Sequence, residues 1–252
     1  MMIAALALRP AASSAPSAPD ASPVVLELFT SEGCSSCPPA DALLSKIGSS
    51  GRGVIPLAYH VDYWDHLGWS DPFSSRQFSE RQSAYAGAMG LDGEYTPQMV
   101  IGGTSQCVGS DARSIAGAIA ASRSSPALGR VSVRVVPEAP GSRALRIKVT
   151  AEVPRASSTG PLSLMVAIYE NGLVSKIGGG ENGGRELTYD YTVRKLMRVA
   201  ELDGAHGAIE KELSIELDPS WSPGRLGVAA FLQEASSLRI DGAGVQYPIV
   251  SN

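Results

Sequence analysis

The first half of the chain alternates two hydrophobic periods. Residues 24–30, VVLELFT, form a near-continuous apolar run, the pattern of a strand buried on both faces. PPADALLSKIG (residues 38–48) reads as a helix: prolines fit its first turn, Asp41 complements its positive end and Gly48 stops it. GVIPLAYHVDYW predicts a second strand. DPFSSRQFSERQSAYAGAMG predicts a helix with Phe78, Arg81/Gln82 and Tyr85 at turn spacing and Gly90 as terminator. TPQMVIGGTSQCVG predicts a hairpin around Gly102-Gly103, and SDARSIAGAIAASR a helix capped by Ser110. The predicted order is β-α-β-α-β-β-α.

Beyond Ser124-Ser125-Pro126 the helical period fades. RVSVRVV, ALRIKVTAEV, LSLMVAIYE, ELTYDYTV, AIEKELSIEL, RLGVAAFLQ and GVQYPIV are short candidate strands, several alternating apolar and polar positions, such as Leu145/Ile147/Val149. Regular short strands predict an antiparallel β-sandwich. The expected organisation is a leader over residues 1–22, an α/β domain over 23–125 and an all-β sandwich domain over 126–252.

Composition narrows the classes. Of 252 residues, 44% are hydrophobic and 18% charged, with a net charge of −4. That suits a folded soluble protein and argues against a basic nucleic-acid surface. No apolar run reaches the roughly 18–20 residues of a membrane-spanning helix. The leader has a short apolar core, Ile3 to Leu8, then an Ala/Ser/Pro-rich stretch. It fits the end of a secretory signal followed by a tether, without the Lys/Arg expected ahead of the core. The expectation is a periplasmic or secreted protein. Three cysteines are too few for a disulfide scaffold, and Cys107 is left over if Cys34 and Cys37 pair.

Cys34-Ser-Ser-Cys37 lies between the first strand and the first helix. At a helix start, unpaired N–H groups and the dipole stabilise a thiolate. Cys34 would be exposed and attack a substrate disulfide, and Cys37, one turn away, would resolve the mixed disulfide. Two other chemistries stay open. Cys34, Cys37 and His60 could bind Cu(I) or Zn(II) as soft sulfur and imidazole ligands in a metal-delivery module. The pair could equally be a structural disulfide in a secreted interaction protein.

Tyr95-Thr96-Pro97, directly before a predicted strand, adds a resemblance to the thioredoxin-like superfamily. The segments ELFTSEGCSSCPPAD, YHVDYWDHLGWSDPF, YTPQMVIGG, VGSD and GENGGRELTYDYTVRKL together resemble the secreted bacterial thioredoxin-like family catalogued as domain of unknown function 1223. The resemblance implies a thioredoxin-like fold for the first domain, a cis Pro97 against the cysteine pair and a substrate backbone received at Thr96. The family resemblance speaks to fold more than to function; the leading expectation, from the dithiol in its strand–helix setting, is a thiol–disulfide oxidoreductase acting on extracytoplasmic proteins, with a redox partner and no cofactor. In that superfamily a buried acid often assists the resolving cysteine, and Glu27, inside the first strand, is the candidate. Glu27→Leu is then expected to raise stability and slow exchange.

The end of the second strand, HVDYWD, falls on the ligand side of an open α/β sheet. His60, Tyr63 and Trp64 are candidate substrate-binding residues at that rim, with packed strand-end positions as the alternative. Trp64 and Trp69 could cover the dithiol or simply pack. Cys107 reads as a half-buried core residue. Gly178–Gly183 matches G-x-G-x-x-G, but no βαβ unit surrounds it, so it is read as a mobile inter-strand loop. His206 is read as an exposed turn residue. No Ser-His-Asp pattern stands out.

Overall fold

The computed structural model describes residues 22–51, 53–125, 127–139, 141–153, 160–202 and 207–249. Residues 1–21 and His206, on which the leader and one turn were read, lie outside them. β1 (Val24–Thr30), α1 (Pro38–Ser49), β2 (Val54–His60), α2 (Arg76–Met89), the hairpin β3 (Gln98–Ile101) and β4 (Ser105–Val108), and α3 (Ala112–Ser124) follow the predicted order. Next come β5 (Arg130–Pro137), β6 (Ala144–Val153), β7 (Leu162–Glu170) and β8 (Leu173–Lys176). The chain continues through β9 (Glu186–Tyr189), β10 (Thr192–Leu202), β11 (Gly207–Glu216), β12 (Leu226–Glu234) and β13 (Ile240–Gln246).

The expected fold class, an α/β thioredoxin-like domain followed by an all-β sandwich, is corrected by the pairing of these strands. One mixed sheet of eight strands runs β13-β12-β7-β10-β2-β1-β3-β4, through both halves of the chain. Three α-helices stand against thirteen strands among the described residues, so the protein is mostly β. The join is β10 on β2, parallel at Thr192 and Ala58, where the Ala58 N–H donates to the Tyr191 carbonyl at 2.8 Å. Without β10, β2 would present an unpaired edge. Hydrophobic alternation reports which face of a strand is buried and says nothing about which strand lies beside it, so the shared sheet was invisible in the pattern.

Three apolar cores follow from strand alternation. On the α2 face, Val25, Phe29, Leu57, Tyr59, Phe78 and Tyr85 run without a break into Ala167, Tyr169, Ala229 and Phe231 of the second half. On the opposite face of β1, Leu26 and Leu28 pack with Ala40, Leu44 and Ile115 of α1 and α3. The three-stranded sheet β11-β6-β5 buries Leu145, Ile147 and Val149 with Leu164, Val166 and Val228, as the alternation of β6 predicted.

Local differences have local causes. Asp111, not Ser110, caps α3 by accepting the Arg113 and Ser114 N–H groups at 3.1 and 3.0 Å. ELTYDYTV is two strands, because Tyr191 turns the chain with a φ of 58°. Gly90 ends α2 as expected, in the left-handed region at φ 65°.

Candidate functional site

β1 carries the chain to the sheet's carboxyl edge, and a tight loop returns it to α1. Cys34 and Cys37 form a disulfide with Cα atoms 5.4 Å apart. Cys37 is the N-cap of α1, and its carbonyl accepts the Ala40 and Asp41 N–H groups at 2.8 and 3.1 Å. Pro38 and Pro39 occupy the first turn, where a missing N–H costs nothing. Both cysteines are 0% exposed, whereas Cys34 was expected at the surface. Ser35 and Ser36 between them are exposed.

A set of buried titratable groups gathers at this end of β1 and α1. Asp41 shares a helix face with Cys37, four residues on, and is 7% exposed. Neither carboxyl oxygen has a hydrogen-bond partner. Burial, reinforced by Asp71 and Glu32 and opposed by His60 and Thr30, pushes its pKa up to about 7. Glu32 is 0% exposed and accepts the Trp69 indole N–H at 2.6 Å, while its second oxygen is unpartnered. Burial and the Asp71 charge raise its pKa.

His60, also 0% exposed, pairs through Nδ1 with Asp71 Oδ2 at 2.7 Å, its ring edge-on to Phe73 and Tyr189. Burial pulls the imidazole down, but the charge and hydrogen bond of Asp71, with Asp41 and Glu32, outweigh it and raise the pKa. Burial pushes Asp71 up, yet His60 and the N–H groups of Glu32 and Phe73, both at 2.8 Å, hold it below the ordinary range.

The glycine-rich segment set aside as a mobile loop lies against the cysteine turn. Asn182 is 0% exposed and donates through Nδ2 to the carbonyls of Glu32 and Cys34 at 2.9 and 2.8 Å. Arg185 Nη1 donates to Asn182 Oδ1 at 2.6 Å. Glu181 accepts the Ser35 N–H at 2.9 Å. A Cβ on Gly179 would sit 2.2 Å from the Gly68 carbonyl oxygen, so the backbones meet where only glycine fits.

The other predicted residues divide. The Thr96–Pro97 bond is cis, and Pro97 is buried beside Ala40 and Leu28, all three within 3.1 Å of where a Gly109 Cβ would sit. Trp64 lies against Gly33 and donates its indole N–H to Thr96 Oγ1 at 2.9 Å, linking the cysteine turn to the proline loop. Tyr63 instead turns to α2, donating to Gln82 at 3.1 Å, and burial pushes its pKa up to about 12.

Glu27 is 0% exposed on the α2 face, opposite the face that meets α1. It pairs with Arg81 Nε at 2.7 Å and accepts the Tyr85 hydroxyl, so it is not brought together with the disulfide. Arg81 reaches on to Gln233 of β12 at 3.0 Å. Cys107 is half-buried on β4, its thiol pushed up by burial and by Asp111. The two sulfurs are bonded to each other and His60 to Asp71; among the described residues no three His, Cys, Asp or Glu side chains are arranged to hold a metal ion. No helix among them is long and apolar enough to cross a membrane.

Sequence reasoning gave no role to Glu32, placed Asp71 only in the insertion after the second strand and Glu181 and Asn182 only in a mobile loop, and read Asp41 only as a partner of the helix dipole. The spacing of Asp41 from Cys37 was the one available signal.

The geometry defines a mostly β protein built on one mixed sheet, with a disulfide at a helix start and a group of interacting buried acids at the same end of that helix. The chain belongs to the family described as "Protein of unknown function (DUF1223)", whose model matches residues 25–233. It is similar to the crystal structure of protein AGR_C_4864 from Agrobacterium tumefaciens, at 29% identity and a TM-score of 0.69, covering 93% of this chain and 98% of that one. It is also similar in fold to HBP35 of Porphyromonas gingivalis, at 19% identity and a TM-score of 0.63, covering 90% of this chain and 75% of that one. No curated protein matches.

Proposed function

We propose that the protein is a thiol–disulfide oxidoreductase acting on proteins outside the cytoplasm. The observation that carries this is the Cys34–Cys37 disulfide at the start of α1 with an unpartnered, buried Asp41 one turn inward. With the dithiol reduced, the Cys34 thiolate attacks a substrate disulfide, and one substrate sulfur leaves as a thiolate. Cys37 loses its proton to Asp41 and attacks Cys34 within the mixed disulfide, which frees the second substrate sulfur and reforms Cys34–Cys37. A carboxyl with a pKa of about 7 can accept and return that proton near neutral pH. The reverse sequence oxidises a substrate dithiol. The signal-like leader and the Cys34–Cys37 disulfide suit an oxidising compartment.

The test is Cys37→Ser. This variant should accumulate mixed disulfides with exported proteins through Cys34; a folded variant that traps none defeats the proposal. A second reading, a structural staple, is supported by the complete burial of both cysteines. A potential below about −300 mV together with no exchange activity would select it.

A further inference from the structure

We propose that the segment Gly178–Gly184 is a lid, latched by Glu181 and Asn182, that decides what reaches the disulfide. Chain from the second half covers chemistry supplied by the first, and three hydrogen bonds fasten it. Asn182 Nδ2 holds the carbonyls of Glu32 and Cys34, and Glu181 holds the Ser35 N–H. All three are made to the cysteine turn, and both cysteines are 0% exposed.

The lid is built to move as a unit. It is the tip of the β8–β9 hairpin, a two-stranded sheet that pairs with neither of the other sheets. Five of its seven residues are glycine, which gives the tip conformational freedom at either end. The hairpin base is anchored separately: Ile177 and Tyr189 are buried, and Tyr189 packs edge-on against His60 and Phe73. Opening therefore requires the latch to break and the glycine tip to lift from Gly68 and Trp69, with the hairpin base left in place. The groups it frees are two carbonyl acceptors and one N–H donor, which an extended polypeptide can satisfy and a small thiol cannot. Glu181 and Asn182 thereby set specificity, favouring protein partners over small reductants. This part rests on the proposed exchange function; the shielding of the disulfide does not.

The experiment measures reduction of the intact full chain by a water-soluble phosphine, with the freed thiols trapped by alkylation and counted by mass spectrometry. The phosphine breaks the S–S bond and is itself oxidised to phosphine oxide, so the rate reads access alone. Wild-type protein should react at least about 100-fold more slowly than a CSSCPPAD peptide disulfide. The rate should be nearly independent of low urea, as for local opening. Asn182→Ala should accelerate it about tenfold or more. Glu181→Ala, at an exposed position that spares the fold, should accelerate it several-fold. Gly179→Ala should do the same by pushing the tip off Gly68. A wild-type rate equal to that of the peptide overturns the lid, as do unchanged rates in Glu181→Ala and Gly179→Ala. Failure of Cys37→Ser to trap substrates would instead defeat only the exchange function.

Discussion

Asp41→Asn is the sharpest perturbation of the buried site. The carboxyl is 7% exposed without a hydrogen bond, and its pKa stands at about 7 against an ordinary 3.8. Between those values the folded chain holds a proton that the unfolded chain has released. Stability therefore falls as pH rises, by about 1.4 kcal/mol per unit, and levels off above pH 7. Roughly three units make about 4 kcal/mol at pH 8, an upper figure because His60 and Glu32 titrate with Asp41. Asparagine has the shape of the neutral acid and cannot ionise. With the disulfide intact, the variant should match wild type near pH 4.5, apart from a constant offset, and gain about 2–4 kcal/mol on it by pH 8. In a chain of this size that corresponds to roughly 5–15 °C in Tm. Urea denaturation at pH 4.5, 6 and 8 measures the difference. A difference that does not vary with pH would refute the reasoning, because it would mean that Asp41 ionises as readily in the fold as in the unfolded chain.

The same substitution should slow resolution of the mixed disulfide by about 100-fold near pH 7–8, where wild-type Asp41 is ionised and can take the Cys37 proton, and by less at lower pH, where Asp41 is already protonated; stopped-flow with a peptide disulfide checks it. Glu27→Leu should destabilise by about 3–5 kcal/mol, the reverse of the sign its sequence position suggests, because it strands Arg81 in the core. Glu27→Leu with Arg81→Met should recover much of that loss, and a double-mutant cycle in denaturant reads the coupling. Gly109→Ala would set a methyl group 2.7 Å from Leu28 Cδ1 and 3.1 Å from Pro97 Cβ, and should cost about 1–3 kcal/mol by denaturation while shifting the proline loop.

Much of the local structure was legible along the chain. The apolar run VVLELFT, the prolines that open PPADALLSKIG, the hairpin glycines and the alternation of β6 each act over a few residues, where period and turn chemistry decide the outcome; Gly48, read as the stop of α1, lies inside it, and the helix ends at Ser49. Cys34 and Cys37 were legible for the same reason: the motif and its helix are contiguous. Glu27 shows where local reading stops. Its burial followed from its strand, but its partner Arg81 comes from α2 and the next link, Gln233, from β12.

The sequence by itself therefore determined most of the elements, the cysteine turn and the start of the helix that follows it, but not β8 or the break between β9 and β10. The tertiary structure alone decided that both halves share one sheet, because backbone hydrogen-bond edges leave no side-chain signature. It alone brought Glu32, Asp41, His60 and Asp71 into one interacting group near the cysteine turn and fastened Glu181 and Asn182, nearly 150 residues away in the chain, to that turn. Desolvation and hydrogen bonding depend on what surrounds a group in space, so the chemistry of this site was settled by packing rather than by spacing.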